Sequence, residues 1–365
     1  MRHINELTAS LSPYIKLSRH RLECLCHFIF ALLSIQDVTL AKVAQTFCSD
    51  SQVSSHYKRL QRFLKYSTFR FEWLWFLIQN IFDLPDQLML TMDRTNWQFG
   101  RTPINILFIG IAYKGLSIPL IWCFIDSKGN SHSTCRIALV KKLLCYFPKA
   151  RIARLLADRE FMGEKWLTYL HEQKISFSIR TRENITVSNT KGVMLPAKIM
   201  MRNIKPGKSV CLLRKRKTMG LCLYIAAARL NDGALLILLT DKEPEEALND
   251  YLMRWEIETF FAALKRRGFN FENTHVTQHE RLNNLVFVLA IAFMCAYKMG
   301  EHIEQERPAK LKKHGYKQHS FFKRGLSALA HAIHNLHRSV KTLLLAIRFI
   351  FNQGHKNQRL QGGVL

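Results

Sequence analysis

Apolar and polar residues follow two different periods along the chain, and the change between them predicts how it is organised. Up to about residue 82 the apolar residues recur at helical spacing. The next apolar runs, Gln87 to Asp93, Ile104 to Tyr113 and Ile118 to Ile125, are short and separated by turn residues. We expect a helical N-terminal part followed by three consecutive antiparallel strands.

Helix and strand patterns alternate after this meander. The spacing predicts, in order, a helix at Ser133 to Phe147, a strand at Ile152 to Ala157, a helix at Gly163 to Glu172 and a strand at Ile175 to Ile179. Residues 181–240 hold further strand candidates separated by glycine and proline. The order predicts an α/β fold, a mixed sheet with helices on its faces and a β-rich insertion. An RNase H-like core has this order of elements.

A long helix is predicted to open at Pro244, because proline is favoured in the first helical turn and the acids that follow suit the helix dipole. Four polar side chains fall within an arc of roughly 60 degrees on this helix, namely Tyr251, Arg254, Glu258 and Lys265. A separate apolar face comprises Met253, Ile257, Phe260 and Leu264. Taken alone, the polar stripe is more typical of a solvated face on which Arg254 and Glu258 form an i, i+4 ion pair.

Two aspartates each come directly after a short apolar run. We expect Asp93 and Asp158 at strand ends, where a carboxylate projects from a rigid edge, although aspartates there are also common as turn formers or helix caps. With Glu258 they offer three hard oxygen ligands, a set that suits two Mg²⁺ ions about 4 Å apart. Asp126 is the main alternative to Asp158, but it lies in a predicted hairpin turn.

The net charge of the chain limits the classes of partner that it is expected to bind. Lys and Arg number 54 against 27 Asp and Glu, a formal charge of +27. Repulsion on that scale argues for a polyanionic partner, with nucleic acid as the first candidate. No acid follows Glu306, whereas basic residues continue. Because leucines and phenylalanines recur there at helical spacing, we expect a packed helical module with a basic exterior instead of a solvated tail.

A helix-turn-helix outline lies in the N-terminal part. An apolar helix at Val38 to Phe47 is followed by a polar turn at Ser49 to Ser51 and by a basic helix. Many helical hairpins with one solvated basic face have the same outline. The net charge favours DNA binding, so the predicted DNA contacts here are Lys58, Arg59 and Arg62.

Other classes of protein and site find little support. The first residues lack the pattern of a secretory signal, and the longest apolar stretch, Leu285 to Tyr297, is short of the roughly 20 residues that cross a bilayer. It is predicted to be a buried helix. The nine cysteines are scattered, and a buried apolar helix explains His20, Cys24, Cys26 and His27 more simply than a zinc site does. Nucleophile elbows, phosphate loops and dinucleotide fingerprints are absent from the sequence.

The segments that carry the chemistry resemble one family of enzymes. Tyr251, Arg254, Glu258 and Lys265 have the spacing of the YREK signature of insertion-sequence family four transposases. That family's first and second aspartate motifs resemble the segments LTMDRTNW and ADREF, which occur in the same order here. The resemblance covers essentially the whole chain.

The resemblance implies a DDE transposase with an RNase H-like core, a β-rich insertion before the glutamate helix, and cut-and-paste movement of an insertion sequence. Three carboxylates would bind two Mg²⁺ ions, for which Mn²⁺ can substitute, and three other signature residues would grip phosphates near the cleaved transposon end. The implied catalytic and metal-binding residues are Asp93, Asp158 and Glu258, and the implied DNA-binding residues are Tyr251, Arg254 and Lys265.

The implied organisation has three parts. We expect a helical DNA-binding module at 1–82, an RNase H-like catalytic domain at 83–270 with the insertion near 181–240, and a basic helical module at 271–365. The expected partners are double-stranded DNA, both terminal inverted repeats and target, and a second copy of the chain in the synaptic complex. No membrane partner is expected, and a cytoplasmic, DNA-associated protein of a bacterial cell fits best.

Cleavage of the second strand and the rival functions stay open at this point. Some relatives place a tryptophan on the strand before the glutamate helix to stack on a flipped base in a hairpin intermediate, but Ala234 to Thr240 contains no aromatic residue. Either the reaction has no hairpin step, or it uses another ring such as Trp97, Trp255 or Tyr224. A catalytically silent repressor derived from a transposase, or an RNase H-like nuclease that only hydrolyses, would share many of these features.

Overall fold

The computed structural model describes residues 2–47, 51–126, 129–310 and 318–351. They fall into two compact units. The helical unit comprises Met1–Leu84, Gln98–Thr102 and Phe261–Leu365, and the sheet unit comprises Pro85–Trp97 and Pro103–Phe260. Helices from both ends of the chain thus belong to one unit, an arrangement that local sequence patterns do not show.

The helical unit is formed by amphipathic and apolar helices, numbered in chain order. At the N-terminal side they are α1 (Arg2–Leu11), α2 (Arg19–Ile35), α3 (Leu40–Gln45), α4 (Val53–Tyr66) and α5 (Phe71–Ile81). At the C-terminal side they are α11 (His279–Glu306), α12 (Phe321–His334) and α13 (Leu336–Phe351).

The core of the helical unit is α11. Residues 285–297, the stretch predicted to be a buried helix, are buried throughout. The helix packs chiefly on α12 and also on α2 and α4. The backbones of α11 and α12 approach closely, since a Cβ on Gly325 would lie 1.8 Å from the carbonyl oxygen of Ala296.

Within the described part of the chain, one helix is long and apolar enough to cross a membrane. It is α11, and 89% of its apolar window is buried inside the structure. Such burial is typical of the core helix of a folded domain.

The sheet unit begins with the predicted meander and continues with alternating helices and strands. Its first elements are β1 (Leu88–Phe99), β2 (Thr102–Tyr113), β3 (Leu116–Phe124), α6 (Ser133–Leu144), β4 (Ile152–Ala157), α7 (Glu164–Glu172) and β5 (Phe177–Thr181). Short 3₁₀ turns precede and follow β4.

The strand order of this part is β3-β2-β1-β4-β5. Strands β2 and β3 pair antiparallel, whereas β4 pairs parallel with both β1 and β5. Most of β2 is buried, and its largely apolar sequence is typical of a strand covered on both faces. The predicted fold class, an RNase H-like mixed sheet, is confirmed.

Strands of the predicted insertion extend the same sheet. The segment holds β6 (Thr186–Ser188), β7 (Met194–Pro196), α8 (Ala197–Met200), β8 (Ser209–Thr218), β9 (Leu221–Arg229) and β10 (Leu235–Thr240). The pair β6-β7 forms a small separate sheet, but β10 pairs antiparallel with β5 and is followed in the sheet by β9 and β8. The segment is β-rich, as expected, yet it completes an eight-stranded sheet.

The predicted long helix after Pro244 is wrong as a single element. It consists of α9 (Ala247–Leu252), a 3₁₀ turn at Met253–Trp255 and α10 (Glu256–Leu264). The tighter turn, with about three residues per turn, changes which side chains face inward. Arg254 is buried, whereas Met253, expected on the packed face, is 37% exposed.

Candidate active site

The register between β1 and β4 brings the two predicted aspartates to neighbouring positions. Met92 pairs with Ala157 at the end of this parallel ladder. The next residue on each chain segment is Asp93 or Asp158, and adjacent strands lie about 4.8 Å apart. The two carboxylates therefore start from adjacent backbone positions at one edge of the sheet.

The expectation that both aspartates lie at strand ends is right for one of them. Asp158 directly follows β4. Asp93 instead lies inside β1, which continues to Phe99 because it forms a hairpin with β2 beyond the end of β4. Asp93 thus comes directly after the last residue of β1 that pairs with β4, and β1 continues on both sides of it in the chain.

Asp93 lies in a largely buried environment. Its Oδ1 accepts a hydrogen bond from the backbone N–H of Arg94 at 2.7 Å, and its Oδ2 accepts one from Arg254 at 3.1 Å. Burial raises the pKa of Asp93 to about 6, with smaller contributions in the same direction from Glu160 and Asp158. The two donors oppose that rise, so this carboxylate holds its negative charge under strong desolvation.

Arg254 joins two of the predicted carboxylates. Its Nη1 donates to Asp93 Oδ2 at 3.1 Å and its Nη2 donates to Glu258 Oε1 at 2.8 Å. The arginine side chain is 5% exposed, whereas that of Glu258 is 55% exposed. Burial by itself would lower the pKa of Arg254, but the neighbouring Tyr251, Glu258 and aspartates outweigh it and raise the pKa. The guanidinium is therefore a fixed cation with a two-pronged geometry.

Tyr251 supports the other aspartate. Its ring is buried against Ala226, Leu236 and Leu238 of the sheet, and its hydroxyl donates to Asp158 Oδ1 at 3.2 Å. Burial raises the pKa of the phenol, so it stays a neutral donor. Arg180 on β5 approaches Asp158 Oδ1 at 3.8 Å. Asp158 thus has a neutral donor and a cation on one of its oxygens.

Apolar side chains fix the segment that carries Glu258. Ile257 and Phe260 are buried, and the ring of Phe260 meets that of Phe108 on β2 edge-on with centroids 5.4 Å apart. This packing leaves Glu258 on the exposed side of α10. The separation of a packed face from a polar face, predicted from the helical wheel, holds for α10 itself.

The remaining signature residue, Lys265, follows the last residue of α10. Its ammonium pairs with Glu272 at 2.8 Å, and its side chain is 25% exposed. Asp126, the alternative to Asp158, is an exposed residue after β3, with β2 lying between β3 and β1 in the sheet.

The three basic residues of the predicted helix-turn-helix differ in exposure. α3 and α4 pack together, and the predicted turn lies partly outside the described residues. Lys58 and Arg62 are exposed on α4. Arg59 is half-buried, and its Nη2 donates to the backbone carbonyl of His20 at 3.3 Å. Two of the three thus present their charge to solvent, while Arg59 also ties α4 to α2.

Several charged residues near the carboxylates were missed by the sequence analysis. Arg94 forms a two-pronged ion pair with Glu160, with Nε at 2.9 Å and Nη2 at 3.1 Å from the two carboxylate oxygens. Arg94 and Glu160 each lie within two positions of a predicted aspartate in the sequence. Once both aspartates are placed at one edge of the sheet, this proximity suggests that Arg94 and Glu160 form an ion pair. Arg154 on β4 forms a buried ion pair with Asp250 on α9. That pair anchors the start of the glutamate segment to the central strand.

Glu256 forms a further contact that the sequence analysis did not predict. Its Oε1 accepts a hydrogen bond from the backbone N–H of Gly115, in the turn between β2 and β3, at 3.0 Å. Burial raises its pKa to about 7, against the effect of backbone hydrogen bonds from Gly115 and Tyr113. It ties the beginning of α10 to the meander.

The carboxylates suit a hard divalent cation in kind. Asp93, Asp158 and Glu258 supply only oxygen ligands, which Mg²⁺ prefers. Within the described residues, however, no three His, Cys, Asp or Glu side chains are close enough to share one ion. Arg254 provides positive charge to Asp93 and Glu258 in this arrangement.

Comparison with known proteins supplies the family. Residues 91–295 match the family described as "Transposase DDE domain", and no curated protein matches the chain. Among solved structures, a piggyBac transposase synaptic complex with hairpin DNA is 13% identical, with 96% of this chain and 83% of that chain covered and a TM-score of 0.45. A likeness at that level carries no argument about function. Because the family match spans more than half of the chain, this protein belongs to the transposase DDE domain family.

Proposed function

We propose that this chain is a DNA transposase of insertion-sequence family four, which moves its element by cut-and-paste transposition. The reaction would comprise nicking of the 3′ strand, cleavage of the second strand and transfer of the freed end into target DNA. The observation that carries the proposal is the β1–β4 register, which sets Asp93 beside Asp158, together with the hydrogen bonds from Arg254 to Asp93 and Glu258.

The signature residues support the narrower family assignment. Tyr251, Arg254 and Glu258 keep the YREK spacing and form a group of contacts in which Tyr251 donates to Asp158, while Arg254 donates to Asp93 and to Glu258. Such a group accounts for the spacing better than an ordinary solvated helix face, on which Arg254 would be exposed. Lys265 completes the signature in sequence and is proposed as a phosphate contact.

Transposases of the DDE type generally use divalent metal ions, and we propose two Mg²⁺ ions, with Mn²⁺ as a substitute, held by Asp93, Asp158 and Glu258. When bound, such ions supply Lewis acidity and lower the pKa of the attacking water. The chain itself does the positioning. Tyr251 orients Asp158, and Arg254 offers a fork that suits either carboxylate or phosphate oxygens.

Double-stranded DNA is the proposed partner, both as terminal inverted repeats and as target. The formal charge of +27 supports it, and Lys58 and Arg62 on the exposed face of α4 are the proposed contacts of the helix-turn-helix. Arg59 would act mainly by holding α4 in place. Bringing two ends together calls for a homodimer on the DNA.

If second-strand cleavage passes through a hairpin, a flipped base needs an exposed ring to stack on. Of the three candidates, Trp255 is 47% exposed, whereas Trp97 and Tyr224 are half-buried. Arg254 lies over the Trp255 ring with its Cζ 5.4 Å from the centroid. Exposure beside the carboxylate group makes Trp255 the preferred ring.

The deciding experiment is cleavage and strand transfer by single alanine variants. The full chain is incubated with Mg²⁺, a target plasmid and a duplex that carries the terminal inverted repeats flanking its own coding sequence. Asp93→Ala, Asp158→Ala and Glu258→Ala should each lower cleavage by at least about 10³-fold, because each removes a ligand from the reacting centre. Binding of the same duplex in a band-shift assay should be nearly unchanged.

Asp126→Ala is the matched control, since Asp126 is the rival aspartate and is exposed in the structure. It should cleave like the unaltered chain. Cleavage that survives in all three test variants would end the enzyme proposal and favour a DNA-binding repressor. Cleavage without joining to the plasmid would instead assign a nuclease that only hydrolyses.

A further inference from the structure

A groove of about 570 Å³ in the sheet unit is lined by residues that follow Asp158 in the chain. One wall consists of the residues that follow β4, including Arg159 and Glu160, and another consists of those that follow β5, including Arg182 and Asn184. Because Asp158 immediately precedes Arg159, the lining of the groove begins one residue after a carboxylate of the candidate active site. Asn130 and Met219 also line it.

The buried Arg136 and the partly buried Arg94 hold the wall that follows β4. Arg136 donates to the side-chain hydroxyl of Ser131 at 2.8 Å and to the backbone carbonyls of Glu160 at 2.8 Å and Met162 at 3.3 Å. Arg94 forms the two-pronged ion pair with Glu160 described above. These contacts fix the backbone of the wall, so the groove is preformed.

The groove carries a net positive charge. Its one acid among the lining residues is Glu160, whose charge Arg94 balances. Arg159 and Arg182 are both exposed, and within the described residues neither side chain has a hydrogen bond or ion pair. The two guanidinium groups are therefore available to an external anion, and each offers a fork suited to phosphate oxygens.

The other polar lining residues also favour an anionic ligand. Arg94 Nη2 donates to Asn130 Oδ1 at 3.2 Å, which leaves the amide N–H groups of Asn130 as donors. Asn184, which is exposed, also lines the groove. A groove with several donors, free arginines and one neutralised acid suits a backbone of repeating phosphates better than an apolar protein segment.

We propose that this groove binds the phosphodiester backbone of the DNA strand adjacent to the scissile phosphate, with Arg159 and Arg182 as its phosphate contacts. The inference rests on the proposed function, because the position of the scissile phosphate follows from the three carboxylates. It adds a second contact surface to that function. Arg159 follows β4 and Arg182 follows the neighbouring strand β5, so a DNA strand that contacts both would run across the ends of these two strands, where Asp158 also lies.

The test measures binding separately from chemistry. The full chain is titrated with the inverted-repeat duplex in EDTA, where cleavage does not occur, over a series of salt concentrations. Replacing Arg159 and Arg182 together by Gln should lower the slope of log affinity against log salt by about 2, since each lost phosphate contact lowers it by about 0.9. Replacing both by Lys should preserve most of the slope because the charges remain.

Arg202→Gln is the matched control, since Arg202 is an exposed arginine of the same unit that does not line the groove. It should leave the slope of the unaltered chain. A double Gln variant with an unchanged slope, or one that loses no more than Arg202→Gln does, overturns the inference. Thermal unfolding should be the same for all variants because both replaced side chains are exposed.

Phosphate ethylation interference locates the contacts on the DNA. For the unaltered chain, ethylation next to the cleavage position should weaken binding, and in the double Gln variant that effect should disappear at those phosphates alone. Loss of interference only at distant phosphates contradicts the inference. If the slope falls as expected in the double Gln variant but the unaltered chain never cleaves with Mg²⁺, the groove is a DNA contact and the transposase proposal fails. If the unaltered chain cleaves but the slope of the double Gln variant is unchanged, the transposase proposal stands and the inference about the groove fails.

Discussion

The exposed face of α4 in the helical unit and the buried ion pairs of the sheet unit use charge in opposite ways. On the exposed face of α4, Lys58 and Arg62 stand in solvent. In the sheet unit, the arginine side chains of the pairs Arg254–Asp93 and Arg154–Asp250 are each 5% exposed. Exposed charges are screened and contribute little individually, whereas a buried charge whose partner is removed costs several kcal/mol.

Because of this difference, DNA affinity and the cleavage reaction depend on different kinds of charged residue. Binding to DNA adds many small phosphate contacts, so no single exposed cation needs an exact position. Positioning a carboxylate for phosphoryl transfer needs buried partners of fixed geometry. We therefore expect single changes at the buried charged residues of the candidate active site to affect cleavage strongly and changes on the face of α4 to affect binding in small, additive steps.

The largest effect is expected for Arg254→Lys. Lysine keeps the positive charge but lacks the planar fork whose Nη1 and Nη2 reach Asp93 and Glu258. Cleavage of the inverted-repeat duplex with Mg²⁺ should fall by about 10³-fold, or about 4 kcal/mol. A band-shift assay should show affinity within a few-fold of the unaltered chain.

Arg214→Lys serves as its control, because Arg214 is exposed on β8. Near-normal cleavage by Arg254→Lys would show that charge alone suffices at this position. The contrast between the two units would then lose its main support.

The strands of the core were predictable because their signals are local. Ile152 to Ala157 was predicted to the residue, and the meander of β1, β2 and β3 follows from short apolar runs separated by turns. The pairing of β10 with β5 was not predictable, because residues 178–181 and 237–240 meet only through the tertiary fold. The union of N-terminal and C-terminal helices in one unit is hidden for the same reason.

A large effect on stability is expected in the core of the helical unit. Gly325→Ala would put a Cβ 1.8 Å from the carbonyl oxygen of Ala296 and 2.5 Å from the backbone nitrogen of Gly300. Backbone atoms cannot move aside cheaply, so unfolding free energy measured in urea should fall by about 3 kcal/mol. Cleavage per folded molecule should be unchanged.

Ser327→Ala on the exposed side of α12 is the control, and it should be neutral or slightly stabilising. In an open helix, Gly→Ala stabilises by about 1 kcal/mol. A stabilising result for Gly325→Ala would therefore mean that α11 and α12 are not in close contact. It would also show that the helical unit tolerates change in its interior as well as on its surface.

The candidate site was predictable in its identities and less so in its geometry. Asp93, Asp158 and Glu258 could be chosen from apolar runs and from signature spacing. Their partners could not, because the 3₁₀ turn at Met253–Trp255 changes the helical phase and buries Arg254. The exposure of Arg159 and Arg182 beside the site likewise depends on two loops that are remote in sequence.

A smaller effect is expected at a half-buried residue of the helical unit. Burial, with the charge of Arg59 next, lowers the pKa of His27 from 6.5 to about 4, and its ring stacks on Phe47. Between these pH values the unfolded chain binds more protons than the folded one. The contribution of His27 to the free energy of unfolding is therefore fully present above about pH 6.5 and is lost as the pH falls towards 4.

The His27→Gln variant tests this dependence, because glutamine does not titrate. Between about pH 7 and about pH 4.5, urea unfolding of the unaltered chain should lose about 2 kcal/mol more than the variant does, a figure reduced for partial exposure. Equal losses in both proteins would show that His27 titrates normally. His171, on α7 of the sheet unit and without a partner of opposite charge among the described residues, provides the control variant His171→Gln.

The smallest effect is expected on the exposed face of α4. Replacing Lys58 and Arg62 together by Gln should weaken binding of the inverted-repeat duplex roughly tenfold and lower the salt slope by about 2, because two phosphate contacts are lost. Arg59→Gln should lower the slope less, since its guanidinium donates to the carbonyl of His20. Fluorescence anisotropy over a salt series measures the affinity and the salt slope of each variant. Equal slope losses for Arg59 and Arg62 variants would place Arg59 among the DNA contacts, and no loss for the double variant would remove α4 from the binding surface.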